Sequence, residues 1–546
     1  MKVLIVSLTL GAVALIAGAS AANSAPAKAQ HFLVGYDHAP TAADKAAIAS
    51  AGGSIRHAFP SIDVLSVNLP SSKASDLRSQ TGVSYVEDDA VRTPLAKTPA
   101  PTTTAPTSLA STLPTSELAP SLSNGLYGLV TTHTVEAYNA GYKGAGVKAC
   151  VADTGLDTNH PDLAPNLKNT YDVFSHTTGL HATDVFALGV ADTETHATHV
   201  AGIVLGAANG KGIRGVAPSA QLYHARVLGT QADGSVSGET SQVMEGVAWL
   251  AAQGCKVINM SLGGGDRSQA EEALYNQITQ DGTLIVVASG NDSASQVSFP
   301  GGYQNVLTVG AVDVNNNLAS FSNTGAQLDL VGPGVDNLSS FPAGQGRDAF
   351  VAYGGKTYAG NPAEFAPATS GVSGPFVNCG LGLAPTDCTA PASGTWVALI
   401  QRGQVAFAVK AHNAAAAGAS AVVLYNNTTV PVTPTLGTTT DNGTAWLPTI
   451  IVSQADGQAI AAGLASNPAG TMYNIAMAWN LDSGTSMATP HVAGVAALVF
   501  GKNPNLKPLD VEMILEKSAT DLGVPNYDTT YGYGVVNAQA ALAATP

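Results

Sequence analysis

Apolar positions in this chain follow two rhythms, one of period two and one near 3.6, and their arrangement changes several times along its length. Residues 31–36 and 83–87 read as strands, and 63–69 alternates like a half-buried one, while 42–51 and 72–80 have helical spacing. Together they predict a small α+β unit. Residues 93–121 are rich in Pro, Thr, Ser and Ala, a composition that cannot build a core and predicts a linker. From about residue 122, continuous apolar strands (147–152, 220–228, 256–261, 283–288) alternate with helical stretches (240–253, 269–280). Such a pattern predicts a parallel sheet covered by helices on both faces, a three-layer α/β/α arrangement. Residues 343–473 break that rhythm. They are rich in Gly, Ala, Thr and Pro, with short β-like runs at 396–400, 421–425 and 448–452 around one Ala-rich helix at 405–417. The α/β pattern resumes at Asp482 and ends with helices at 487–500 and 509–519. A mostly-β module is therefore inserted in the α/β domain, which a fold tolerates where the two ends of the insert lie close together.

Composition narrows the function classes. The 546 residues are 45% hydrophobic and only 11% charged, enough to bury large cores in two to four units. The net charge is −15 with no basic stripe, which argues against a nucleic-acid partner. Lys2, a mostly apolar run from Val3 to Ala17 and the small residues Ala19-Ser20-Ala21-Ala22 have the layout of a secretory signal peptide over 1–22, cleaved after Ala21 or Ala22. A run of that length is short for a bilayer span, and no later segment has 18 unbroken apolar residues. The expectation is a secreted protein without a stable membrane anchor in its mature form. Export permits disulfides. Cys379 and Cys388 share one Gly/Pro-rich stretch and predict a local bridge; Cys150 and Cys255 each open a strand and are either paired or buried thiols.

Three segments set a reactive side chain beside a strand end or a helix start. Val151-Ala152-Asp153-Thr154-Gly155 puts a carboxylate past a strand, His196-Ala197-Thr198-His199-Val200-Ala201-Gly202 opens a helix with an imidazole, and Gly484-Thr485-Ser486-Met487-Ala488-Thr489-Pro490-His491 opens another with a hydroxyl. A serine hydroxyl is a poor nucleophile until a base touches it, and histidine has the pKa for that work. The histidine in turn needs a buried carboxylate to fix its tautomer and stabilise the imidazolium. A helix N-terminus at the serine adds positive potential where an oxyanion forms. Singly, each residue reads as a cap or a turn; in the order Asp…His…Ser with these flanks they read as a triad. Competing motifs fail on context. Gly210 to Gly215 spells GxGxxG but follows a helix and precedes a strand, the reverse of a dinucleotide turn. His196 and His199 lack the HExxH pattern, and Gly484 to Ala488 lacks the second glycine of G-x-S-x-G.

These three segments resemble the signatures of the subtilisin family, in order, and the likeness covers nearly the whole chain outside the linker and the insert. The resemblance implies a subtilisin-like fold and a serine endopeptidase acting on protein and peptide substrates through Asp153, His196 and Ser486. Ala288-Ser289-Gly290-Asn291 is similar to the family's oxyanion segment, with Asn291 as donor, and Ser261-Leu262-Gly263-Gly264 to the strand that receives the substrate backbone. Ser298 falls where the family sets the floor of the pocket for P1, the residue whose carbonyl is attacked; with no charge evident there, an apolar or aromatic P1 with loose discrimination is expected. A structural Ca²⁺ is implied at Asp162 and Asn209 with the carbonyls of Ala207, Lys211 and Ile213, hard oxygens that suit this ion. Residues 23–95 resemble the family's inhibitory propeptide, especially over 83–89, which implies a zymogen inhibited by its own N-terminal unit and self-cleavage near Leu95. The insert resembles a protease-associated (PA) domain through 397–403 and 417–427. The implied organisation is a signal peptide at 1–22, a propeptide at 23–95, a linker at 96–121, a peptidase domain at 122–342 and 474–546, and a PA domain at 343–473. Two departures stand out: Ala197 replaces the glycine usual after the catalytic histidine, with a methyl expected to crowd the site slightly, and Gln404 stands where such inserts often carry a cysteine.

Overall fold

A computed structural model describes residues 29–95, 118, 121, 125–430, 432 and 434–546. The signal-peptide expectation at 1–22 and nearly all of the linker expectation at 96–121 fall outside the described residues. The chain forms two compact units, one of residues up to 58 together with 63–88, the other of 59–62 and 89–546.

In the smaller unit the strands Ser54–Phe59, Val64–Pro70, Ala29–Tyr36 and Val83–Asp88 make one sheet in that order. Alternation in the strands puts Phe32, Val34, Leu65, Val67 and Leu69 into a core with Ile48 and Leu77 of the helices. The helix Ala42–Ser50 begins with a reciprocal cap between Thr41 and Asp44. The helix expected at 72–80 is shorter, a 3₁₀ turn at Ser71–Lys73 leading into Ala74–Arg78. Ser54–Phe59 escapes the sequence pattern because it is a sheet edge with only Phe59 fully buried.

An eight-stranded sheet dominates the larger unit, in the order Leu330–Pro333, Leu307–Val312, Leu284–Ala288, Val257–Met260, Lys148–Asp153, Gln221–Arg226, Leu167–Asp172, Thr177–Gly179. All neighbours are parallel except the last pair. The central strands are buried on both faces, which is why they read as unbroken apolar runs. Ala149, Val151, Val257 and Val286 pack in one core with the helices His196–Leu205 and Thr485–Lys502. The helices Thr240–Ala252 and Gln269–Gln280 pack on the sheet apart from that core, completing three layers. Leu167–Asp172, Leu307–Val312 and Leu330–Pro333 were not legible as strands, the first because it is mostly polar and the others because Gly or Pro interrupts them. Cys150 lies opposite Ile258 in register, and Cys150 is bridged to Cys255 with their Cα atoms 6.0 Å apart. The buried-thiol alternative is thereby removed. Cys379 and Cys388 form the local bridge.

The insert is a closed seven-stranded barrel. Its first and last strands, Gly346–Tyr353 and Ala469–Met477, pair antiparallel, and the last continues past residue 473. Three of the seven strands and the helix Phe407–Ala416 were legible; the helix Gln454–Gly463 was not. The connections on either side also pair, Asn337–Ser340 against Trp479–Asp482, so the chain leaves and re-enters the α/β domain on adjacent strands. That arrangement delivers Asp482-Ser483-Gly484 directly to the start of the Ser486 helix.

Candidate active site

Asp153 ends the central strand Lys148–Asp153 and is completely buried. Its Oδ1 lies 2.7 Å from His196 Nδ1 and accepts a 2.7 Å hydrogen bond from Thr154 N. His196 opens its helix, and Thr154 Oγ1 holds that start by accepting from Ala197 N at 3.0 Å. Burial works against charging the imidazole, yet the adjacent Asp153 carboxylate outweighs it and, with Asp482 adding to the effect, holds His196 above the ordinary histidine value. The Nδ1 contact leaves Nε2 buried with no hydrogen-bond partner among the described residues. The Ala197 methyl is fully buried in the apolar core.

A network that sequence reasoning missed ties these two segments together. Glu194, two residues before His196, accepts from Gly155 N at 2.8 Å, just past Asp153. It also takes a fork from Arg226, Nε at 2.6 Å and Nη2 at 2.6 Å, and Arg226 Nη1 reaches Asp172 at 3.1 Å. Glu194 is fully buried and Arg226 nearly so. Buried charges of this kind survive only when paired and hydrogen-bonded. The available signal was the rarity of charge itself in a chain only 11% charged.

Ser486 is the second residue of its helix and is buried. Its Oγ donates to Ser261 O at 3.0 Å, while Ser261 Oγ donates to Ser486 O at 2.8 Å. Asn291 Oδ1 accepts from Thr485 N and Oγ1, at 2.9 and 3.0 Å, which turns the Asn291 amide N–H outward. That N–H donates to the carbonyl oxygen of Leu95. The structure thus forms an Asp153–His196 pair and a Ser486–Ser261–Asn291 group. Asp482, four residues before Ser486, acts on His196 through its charge. Burial pushes the Asp482 carboxyl up to about 7, against the pull of His196. His199 has another task. Burial holds it near 3, and its Nε2 contacts the carbonyls of Asn337 and Asn480 at 3.0 and 3.1 Å.

The groove beside these residues is filled by the chain itself. Val91–Pro94 lies antiparallel to Leu262–Gly263, with Leu262 opposite Pro94 and Gly263 opposite Thr93. Leu95 N donates to Ser261 O at 3.3 Å. The other edge pairs with Val236–Glu239, Gly238 opposite Arg92. Of the two walls, only the one at Ser261–Gly264 was expected. Leu95 is buried, and a Cβ on Gly263 would stand 2.9 Å from Leu95 Cδ1 and 3.5 Å from Ser298 Cβ. The glycine therefore makes room for the Leu95 side chain, and Ser298 lies close by. The neighbouring loop is held by Ser298 N donating to Ser289 O at 2.8 Å and Gly264 N to Phe299 O at 3.0 Å. Ala288 ends the strand Leu284–Ala288 and Ser289 and Gly290 follow it, all three buried.

The implied calcium ligands share one corner. Asp162 Oδ2 accepts from Trp479 Nε1 at 2.7 Å, Ile213 N at 3.3 Å and Ser340 Oγ at 3.4 Å. Asp162 Oδ1 is buried and has no hydrogen-bond partner among the described residues. Asn209 Oδ1 accepts from Lys211 N at 2.9 Å, and Ala207 O from Asn209 N at 2.9 Å. The orphaned Asp162 carboxylate oxygen, the Asn209 amide oxygen and the carbonyls of Ala207, Lys211 and Ile213 are all oxygen donors, the chemistry that suits a hard divalent cation.

Comparison with known proteins agrees with this geometry. Residues 144–370 and 454–534 match the subtilase family, and 372–460 match the PA domain. The M-protease of Shouchella clausii is 30% identical over 485 residues, 89% of this chain and 80% of that protein. Subtilisin Savinase of Lederbergia lenta is 42% identical over 216 residues, 40% of this chain and 74% of its own. A psychrophilic subtilisin-like protease from the Antarctic psychrotroph Pseudoalteromonas sp. AS-11 superposes with a TM-score of 0.54 at 28% identity, covering 76% of this chain and 97% of that one. Fervidolysin from Fervidobacterium pennivorans shares the fold at 21% identity with a TM-score of 0.60, covering 96% of this chain and 62% of that one. The chain belongs to the subtilase family and is a subtilisin-like serine protease with an inserted PA domain.

Proposed function

We propose that this protein is a secreted endopeptidase made as a zymogen, with Asp153, His196 and Ser486 as its triad and Asn291 as the oxyanion donor. The carrying observation is the seating of residues 91–95: a strand paired on both edges, ending with the Leu95 carbonyl on the Asn291 amide. An acyl-transfer site needs its donor on the oxygen of the carbonyl under attack, and Leu95 occupies that position. In this reading 1–22 is a signal peptide, 23–95 the inhibitory propeptide, 96–121 a linker, 122–342 and 474–546 the peptidase domain and 343–473 the PA domain. The bond after Leu95 is cut by the chain's own site, and the tail then stays in the groove as a bound product.

The steps follow from the residues. Substrate adds as a strand between Ser261–Gly264 and Val236–Glu239. Ser486 Oγ leaves Ser261 O, gives its proton to His196 Nε2 and attacks the carbonyl. Asp153 stabilises the imidazolium while Asn291 Nδ2 stabilises the oxyanion. His196 returns the proton to the leaving amine, and water then repeats the sequence on the acyl-enzyme. The uncharged pocket at Gly263, Ala288–Gly290 and Ser298 favours apolar or aromatic P1. Replacing Asn291 with Leu is expected to slow both peptide hydrolysis and the cut after Leu95 by about 10²–10³-fold, a magnitude carried over from subtilisin rather than derived from this geometry. N-terminal sequencing of the wild-type product checks the cut. A break elsewhere than Leu95–Ala96, or an unslowed variant, overturns the assignment.

Asp162, Asn209 and the carbonyls of Ala207, Lys211 and Ile213 would hold Ca²⁺, which supplies stability by cross-linking the loop after the His196 helix; no step of hydrolysis runs through it. An ion bound only by the folded state must raise the melting temperature. EDTA is expected to lower it and added Ca²⁺ to restore it; an unmoved transition removes this site. Two disulfides and, among the described residues, no helix long and apolar enough to cross a membrane agree with secretion.

A further inference from the structure

The strand in the groove presents two side chains to the protein. Leu95 and Arg92 are buried, whereas Thr93 is exposed and Val91 is 51% exposed. Arg92 is the larger anomaly, a guanidinium with no solvent exposure. Its Nη2 donates to Glu271 Oε2 at 2.6 Å and its Nε to Glu271 Oε1 at 3.5 Å. Nη1 donates to Gly264 O, and Nη2 also reaches Asp266 O at 3.2 Å. A Cβ on Gly265 would stand 2.7 Å from Arg92 Nη1, so that glycine leaves room for the fork.

Glu271 is prepared for a cation independently of Arg92. It is also fully buried, and its carboxylate accepts from Tyr275 OH at 3.0 Å and Tyr303 OH at 2.8 Å. Ser268 caps the helix Gln269–Gln280 and accepts from Glu271 N at 3.1 Å. Every one of these groups belongs to the protease rather than to the tail.

We infer that Glu271 forms an arginine-reading subsite for the fourth residue before the cut bond, so that this protease selects substrates with arginine at P4 as well as an apolar P1. The inference rests on the reading of residues 91–95 as a bound product, because it assigns to substrates the pocket that Arg92 fills. Two physical terms make the site selective. Arginine returns a bidentate, charge-assisted pair to Glu271 and satisfies two carbonyls with the same planar fork, which lysine, a single compact charge, cannot reproduce. An apolar P4 would cover Glu271 again without a counter-charge, and a buried unpaired carboxylate is penalised heavily.

The test uses processed wild-type enzyme, titrated with a fluorophosphonate, and three fluorogenic peptides ending in Thr-Pro-Leu at the cut bond and differing only in Arg, Lys or Leu at P4. The Arg peptide is expected to exceed the Leu peptide in kcat/KM by about 10²-fold, with Lys between them. In Glu271→Leu the Arg:Leu order is expected to reverse. Equal kcat/KM for the three peptides in the wild type overturns the subsite while leaving the protease reading intact, and that comparison needs no variant to fold. Absence of both labelling and cleavage overturns the reading of Ser486 and with it this proposal.

Discussion

Ser486→Ala is expected to lower peptide hydrolysis by about 10⁶-fold in kcat and to leave the N-terminal unit attached, since in the proposed reading both reactions use one hydroxyl. The magnitude is that of the subtilisin triad and is borrowed, not computed from this site. The reasoning behind its size is local. The hydroxyl is buried at a helix start and donates to Ser261 O at 3.0 Å, while its neighbour Thr485 holds the Asn291 side chain. With it gone, His196 has no proton to take and no acyl-enzyme can form. What rate remains comes from Asn291 and from binding. Adding His196→Ala to the Ser486 variant is expected to cost little more, because the residues act as a unit. The checks are steady-state kinetics on a fluorogenic peptide and the intact mass of the purified chain. A Ser486→Ala chain that still separates from residues 29–95 when incubated alone would show that another nucleophile does the work.

Removing the Cys150–Cys255 bridge, by Ala at both positions, is expected to destabilise the protein by about 5 kcal/mol. The two cysteines are 105 residues apart, and closing a loop of that size in the unfolded chain costs roughly that much configurational free energy. Both half-cystines are about 1% exposed, so the substitution also removes buried volume beside the strand that carries Asp153. At an unfolding entropy of about 2.1 cal/mol/K per residue, a unit of this size loses roughly 5 °C of melting temperature for that change. Calorimetry on the active-site-blocked protein measures it without self-digestion. An unchanged melting temperature would mean that the bridge constrains nothing the fold does not already hold. The Cys379–Cys388 bridge closes only nine residues and should matter less.

The Arg92–Glu271 and Glu194–Arg226 pairs carry a shared lesson about where specificity and rigidity reside in a chain so poor in charge. Each buries a guanidinium against a carboxylate. One pair holds the Asp153 and His196 segments in mutual register. The other holds the tail in the groove. Both are built on arginine, whose planar fork matches a carboxylate edge to edge. In neither case does the sequence around the residue announce it. Glu271 sits in the first turn of a helix, where an acidic residue is ordinary.

Amino-acid order alone determined the parts of this protein that depend on near neighbours. Buried parallel strands are apolar throughout, so 284–288 and 257–260 could be read directly, and the amphipathic period of Gln269–Gln280 marked that helix end to end. The strand end at Asp153 and the helix starts at His196 and beside Ser486 were legible because the residues that mark them lie within a few positions. Tertiary structure alone decided what lies across long loops. It paired Cys150 with Cys255, set Val236–Glu239 as the second wall of the groove, closed the barrel through strands too mixed in composition to recognise, and brought Arg92 to Glu271 across 179 positions. It also aimed the Ser486 hydroxyl at Ser261 O. The reason is physical. Periodicity reports which face of an element is buried, but a contact between elements depends on how the chain turns in between, and no local pattern of hydrophobic and polar residues encodes that path.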